Sequence, residues 1–106
     1  MAQHPISMSG DTGRIRLPVR FDIMSTMDMR IPFGRLLSEP GVRKLMVDFS
    51  NLGYIDSMGI GTLMAWSRTC QESGKALVLD KCDRKIVNIF KLAGVERLFV
   101  FEAAAG

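Results

Sequence analysis

The 106-residue sequence predicts a single α/β domain, with a mixed, mainly parallel sheet of about five strands and helices packed on one face. Three observations lead there. Period-two alternation of apolar and polar residues marks strands along the chain. Segments with helix start and stop signals fall between them, giving the order β-β-α-β-α-β-α-β, an alternation that implies parallel pairing through crossovers. Several strands carry charge on one side, so helices are expected over the other. The length suits one core, about residues 6–102, with a short tail at 103–106.

Taken in order, Ile6 and Met8 alternate with Ser7 and Ser9, and Gly10-Asp11-Thr12-Gly13 supplies turn chemistry for a hairpin. Its second arm sets Ile15, Leu17, Val19 and Phe21 against Arg14, Arg16, Pro18 and Arg20, with Pro18 requiring an edge or a bulge. Residues 22–38 predict a broken helix whose second piece is opened by Pro32. Residues 44–49 alternate as a strand, and a central helix runs from Asp56-Ser57 to about Glu72, ended by Ser73-Gly74. Residues 75–79 form a short strand, Asp83 caps a helix closed by Gly94, and residues 97–101 form the last strand.

Composition narrows the function classes. With 47% hydrophobic and 24% charged residues the chain has a soluble globular profile, and no apolar run approaches the roughly 20 residues of a membrane span. The start, MAQHPISMSG, lacks the basic-then-apolar pattern of a signal peptide, so the cytoplasm is the expected compartment. A net charge of +3 is spread among interleaved acids, which argues against a nucleic-acid surface. Cys70 and Cys82 have no CxxC spacing, and His4 is the single histidine, so free thiols are expected rather than a disulfide or metal site.

The stretch from Asp56 to Gly61 concentrates the chemistry. Asp and Ser accept hydrogen bonds from the unpaired N–H groups of a first helical turn, so they mark its start and bring Ser57 to the surface. Gly59 and Gly61 each cost about 1 kcal/mol against Ala in a helix, which implies close backbone approach or an uncovered surface. A hydrolytic triad lacks a placed base. A lone Gly-Ile-Gly lacks the remaining glycine of a dinucleotide fingerprint and the Lys-Ser/Thr of a P-loop. Asp22, Asp48 and Asp56 near strand ends read as solvated caps and turns rather than paired catalytic carboxylates. No cofactor is suggested, and an enzyme is not expected. For Ser57 the residues alone leave a plain cap and a modified switch both open.

The run Tyr54-Ile55-Asp56-Ser57-Met58-Gly59-Ile60-Gly61-Thr62-Leu63 resembles the STAS domain of bacterial anti-sigma factor antagonists, whose signature D-S-[small or polar]-G-[apolar]-G-x-[apolar] lies between a strand and a helix. Val19-Arg20-Phe21-Asp22 resembles that family's G-x-[apolar]-D, and Phe90-Lys91-Leu92-Ala93-Gly94-Val95 its F-x-x-[apolar]-G-[apolar]. Val19 departs from the usual glycine, Pro32 interrupts the first helix, and Met58 is bulkier than the Ser, Thr or Ala usual there. The resemblance implies a non-catalytic protein that binds an anti-sigma factor or serine kinase, with Ser57 phosphorylated and a PP2C-type phosphatase reversing it. It also implies that Asp22 and Asp56 sit beside Ser57 and shape the contact. The alternative is a constitutive STAS subunit of a phospholipid-transport ABC complex or stress-signalling scaffold, where Ser57 only caps the helix.

At about 100° per residue the central helix puts Ile60, Leu63, Met64, Ser67 and Cys70 on an expected core face. Met58, Thr62, Ala65 and Thr69 lie opposite, with Trp66 on their flank. That small, uncharged surface reads as a docking face together with Gly59 and Gly61, and Trp66 as its anchor. The other reading packs Trp66 against the first helix.

Overall fold

The computed structural model describes residues 5–102. Strands β1 (Ile6–Ser9) and β2 (Thr12–Arg16) form an antiparallel hairpin. Gly10 and Asp11 alone make its turn, Gly10 at φ 61°, the left-handed value that the first position of a type II′ turn demands. Thr12 and Gly13, expected in the turn, are therefore the first residues of β2.

The second arm does not continue to Phe21. After the Leu17 N–H bonds Asp48 O at 3.0 Å, Pro18 has no donor for the ladder and the chain leaves the sheet. It pairs again as β3 (Arg20–Phe21), which lies parallel to β5 (Tyr54–Ile55) in a separate two-stranded sheet. Helix α1 (Ile23–Asp28) follows, then α2 (Arg30–Ser38), broken at Met29 as the sequence predicts. The break falls two residues earlier than expected. Pro32 is the third residue of α2, inside the first turn, where its missing N–H costs no helical bond.

Strand β4 (Lys44–Asp48), helix α3 (Ser57–Glu72), strand β6 (Ala76–Asp80) and helix α4 (Arg84–Leu92) follow in turn. The Asp83 carboxylate accepts the Ile86 N–H at 2.9 Å to start α4. The last strand is shorter than predicted: Arg97 and Leu98 lie in a 3-10 turn (Glu96–Leu98), and only Val100–Phe101 pair as β7. The main sheet has the order β1-β2-β4-β6-β7, parallel except for the hairpin.

Strand alternation sorts the two faces. Ile15, Val47 and Leu79 join one buried core with Leu36, Leu63, Trp66, Ile86 and Phe90 from the helices. Their neighbours Arg14, Arg16, Asp48 and Asp80 point the other way, so the helices cover one face. Burying this apolar set supplies most of the favourable free energy, at about 25 cal/mol per Å² removed from water.

Asp48 corrects the reading of a solvated strand-end carboxylate. It is buried at 3% exposure and lies 3.3 Å from Arg14 Nη1 and 3.7 Å from Arg16 Nε, while Arg14 Nη2 reaches Asp80 at 2.8 Å. The Arg14–Asp48 contact is ionic, without hydrogen-bond geometry at Nη1. Burial opposes ionisation of Asp48, but the Ser50 N–H at 2.8 Å and the Arg14 charge outweigh it and hold the carboxyl below the usual range.

Candidate functional site

The small sheet of β3 and β5 builds the site. Its register sets Arg20 beside Tyr54 and Phe21 beside Ile55, so the next residues, Asp22 and Asp56, emerge side by side. Phe21 and Ile55 are buried, and alternation turns Arg20, Tyr54, Asp22 and Asp56 outward. Each aspartate then starts a helix. Asp22 caps α1 in a reciprocal box with Ser25, whose N–H donates to Asp22 Oδ1 at 3.3 Å while the Asp22 N–H donates to Ser25 Oγ at 2.9 Å. Asp56 caps α3 by accepting the Gly59 N–H at 3.0 Å.

Ser57 is the first residue of α3 and is exposed. Asp56, not Ser57, supplies the capping oxygen, so the Ser57 hydroxyl is not needed to hold the helix end. Arg20 lies 3.3 Å from Asp22 through Nε and 4.2 Å over the Tyr54 ring. The Ser25 backbone bond, joined by Arg20, holds the Asp22 carboxyl below the usual range despite some burial. The site therefore presents ionised Asp22, the Arg20 guanidinium and the exposed first residue of a 16-residue helix.

The two glycines have different reasons. A Cβ on Gly59 would stand 2.3 Å from Phe21 O and 2.8 Å from Ile55 Cγ1. The close approach is made by this chain's own β3, so Gly59 is buried, and β3 accounts for the glycine. Gly61 is exposed, with nothing within 4 Å of a built Cβ. Met58 is 49% exposed, and Thr62 is half-buried with its hydroxyl donating to Met58 O at 2.8 Å.

Trp66 also departs from expectation. It is 5% exposed, stacked on Phe33 at 4.5 Å and 3°, and tilted against Phe21 at 5.7 Å. It fastens α3 to α2 and β3, so it is not an exposed anchor. Met64, expected in the core, is exposed instead. The buried stripe of α3 holds Gly59, Ile60, Leu63, Trp66 and Cys70, rotated toward Trp66 because α1 and α2 cover that flank.

The sequence reading missed a larger apolar surface. Ile23, Met24 and Met27 of α1 are more than half exposed. Met27 lines a 260 Å³ groove with Thr26, Arg30, Thr62 and Ala65, floored by Trp66. The signal was present in Ile-Met-Ser-Thr-Met, which offers more apolar residues than a six-residue helix can turn inward. The thiols lie elsewhere: burial pushes Cys70 up to about 11, and burial with Asp80 and Asp83 pushes Cys82 up to about 12. Among the described residues no helix is long and apolar enough to cross a membrane, and no group of three metal-ligating side chains is assembled.

Comparison with known proteins agrees with this architecture. A family profile described as "Mlab, STAS domain" matches residues 4–101. A STAS-domain containing protein of Pseudomonas aeruginosa is 27% identical over 93 residues, covering 88% of this chain and 90% of its own. Among solved structures, a STAS domain protein from Planctomyces limnophilus superposes with a TM-score of 0.80 at 12% identity, covering 94% of this chain and 89% of its own. The anti-sigma factor antagonist SpoIIAA in its unphosphorylated form gives 0.71 at 18% identity, covering 94% and 87%. The phosphorylated form of Bacillus SpoIIAA gives 0.68 at 18% identity, covering 92% and 89%. With strand order, helix starts and the family profile in agreement over nearly its whole length, the chain belongs to the STAS-domain family.

Proposed function

We propose that this protein is a phosphorylation-switched binding module. Its unphosphorylated form binds an anti-sigma factor or a serine kinase, and so regulates sigma-factor-dependent transcription. Ser57 is the modified residue, and a PP2C-type phosphatase reverses the modification. The observation that carries this reading is the placement of Ser57, exposed on the first residue of α3 and relieved of capping by Asp56. Around it lie Asp22, Asp56, Met58, Gly61 and Thr62, with the apolar α1 residues Ile23, Met24 and Met27 extending the contact surface. The fold shared with SpoIIAA, known in phosphorylated and unphosphorylated forms, supports the same reading.

A phosphate adds about −1.5 to −2 charge. A helix N-terminus tolerates it without unfolding, because the unpaired N–H groups and the helix dipole favour an anion. The surface changes sign while the fold survives. A partner carboxylate about 5 Å away would be repelled by about 3 kcal/mol per charge pair at an effective dielectric near 20, and 1.4 kcal/mol is already tenfold in affinity.

The test is incubation with ATP and the cognate serine kinase, followed by mass spectrometry and by calorimetric titration with the anti-sigma factor. Phosphate is expected on Ser57. Ser57→Asp is expected to bind at least tenfold more weakly with its melting temperature within a few degrees, and Ser57→Ala to bind normally and ignore the kinase. Equal binding by all three forms would leave the second reading, a constitutive subunit of a phospholipid-transport ABC complex or stress-signalling scaffold. The exposed run of Ile23, Met24, Met27 and Met58 favours that alternative, since permanent interfaces are the more apolar ones.

A further inference from the structure

The hairpin leaves β1 at the edge of the main sheet, paired to β2 and, among the described residues, to no other strand. Arg16 N–H donates to Pro5 O at 2.7 Å, which fixes the parity of the ladder. In an antiparallel pair, residues that exchange hydrogen bonds alternate with residues that do not. With Arg16 opposite Pro5, the groups of Ser7 and Ser9 also turn toward β2. The N–H and C=O groups of Ile6 and Met8 therefore point out of the sheet.

Natural edges are blunted by charge, proline, bulges or cover. Within Ile-Ser-Met-Ser none of the first three is present. The side chains alternate as well. By register Ile6 and Met8 share the helix-covered face with Ile15 and Gly13, while Ser7 and Ser9 share the open face with Arg14 and Thr12. Met8 is 55% exposed, and Ile6 lines a small groove with Pro5, Ile31, Pro32 and Arg35, in which Ile31 is 74% exposed. The free edge thus continues into exposed apolar side chains on α2.

We propose that β1 pairs with β1 of a second copy of this chain, antiparallel about a two-fold axis at Ser7, joining the two main sheets into one. This strand is complementary to itself in that register. Side chains directly opposite in an antiparallel pair share a face, so Ile6 meets the partner copy's Met8 on the helix side, and Ser7 meets its own symmetry mate on the open side. The two Ile6–Met8 pairs are the ones whose outward backbone groups exchange hydrogen bonds, and no like charges oppose each other on the strand. Shifting by one residue would set Ile6 opposite Ser9 and break both matches. The pairing uses none of the residues around Ser57, so it stands apart from the reading of that site. The interface is small, so the dimer is expected to be weak and concentration-dependent.

Sedimentation equilibrium from about 10 µM to about 1 mM tests it, with a rise toward twice the monomer mass expected. Met8→Pro removes an outward-facing donor while keeping every β1–β2 bond, so it is expected to stay monomeric with the wild-type melting temperature. Met8→Lys is expected to do the same by charge. In a Cys82→Ser background, Ser7→Cys places two thiols in a non-hydrogen-bonded pair with Cα atoms about 4.5 Å apart, and mild oxidation is expected to cross-link it. Ser9→Cys would face Pro5 of the other copy and is expected to stay uncross-linked. A wild-type chain monomeric at the highest concentration, a Met8→Pro variant that dimerises normally, or cross-linking of Ser9→Cys as fast as Ser7→Cys would each overturn the proposal.

Discussion

Gly59 and Gly61 stand two residues apart in the same helix, and replacing each by alanine is expected to move stability in opposite directions. At Gly59 the new methyl would start 2.3 Å from Phe21 O, a backbone atom of β3, and 2.8 Å from Ile55 Cγ1. Neither is the free end of a long side chain, so β3 or α3 must shift. Overpacking of this kind costs about 1–3 kcal/mol, against about 1 kcal/mol gained in helix propensity. The net loss expected is up to about 2 kcal/mol, or up to about 8 °C in melting temperature at roughly 4 °C per kcal/mol for a domain of this size. At Gly61 the built Cβ meets nothing within 4 Å, so the propensity gain stands and the melting temperature is expected to rise by about 2–4 °C. Thermal unfolding followed by fluorescence of the single, buried tryptophan measures both variants in one assay. A Gly59→Ala protein stabilised as much as Gly61→Ala would refute the close approach of β3 to α3, and with it the geometry that sets Asp22 beside Asp56.

Two further predictions concern the core and the open face. Trp66→Ala is expected to lose about 3–5 kcal/mol, read by circular dichroism, because it empties the space between Phe33 and Phe21; a loss under 1 kcal/mol would mean that Trp66 is not the fastener of α3. Asp48→Asn is expected to cost about 1–3 kcal/mol at pH 7 by removing the buried charge that Arg14 faces at 3.3 Å. Since the folded carboxyl titrates below its unfolded value of about 3.9, its contribution is full above that pH and fades as pH falls through the lower folded value. Urea titrations at pH 7 and pH 3 should therefore show the gap between wild type and variant closing in acid.

The parts of the fold set by local chemistry are legible in the sequence. Asp56, Asp83 and Gly10 do what their side chains or lack of one require, and Pro32 breaks a helix within two residues of the expected place. The misreadings arose where a distant element decides. Leu17 to Phe21 alternates as a continuing strand, but β5 offers Phe21 a second sheet once Pro18 has interrupted the first. The α3 wheel shows which residues are apolar, and it cannot show that α1 and α2 pack over the Trp66 flank rather than over Met64. The buried arc consequently spans about 120°, from Trp66 round to Ile60 at 100° per residue. Asp48 looked like any strand-end carboxylate because its partners, Arg14 and Asp80, come from two other strands. At the site, Asp56 and Ser57 were legible from spacing, whereas the exposed α1 residues were not, since six residues are too few to fix a helical period.

Exposure also sorts the methionines into two chemical populations. Met24, Met27 and Met58, on the surface around Ser57, are half or more open to solvent or nearly so, while Met29 and Met46 are nearly closed to it. Peroxide would therefore reach the first group well before the second, turning flexible apolar thioethers into polar sulfoxides. Oxidative damage would begin on these methionines and on Met8 of β1, also more than half exposed, while the packed interior stayed intact, so a stressed molecule would change its surface before it lost its shape.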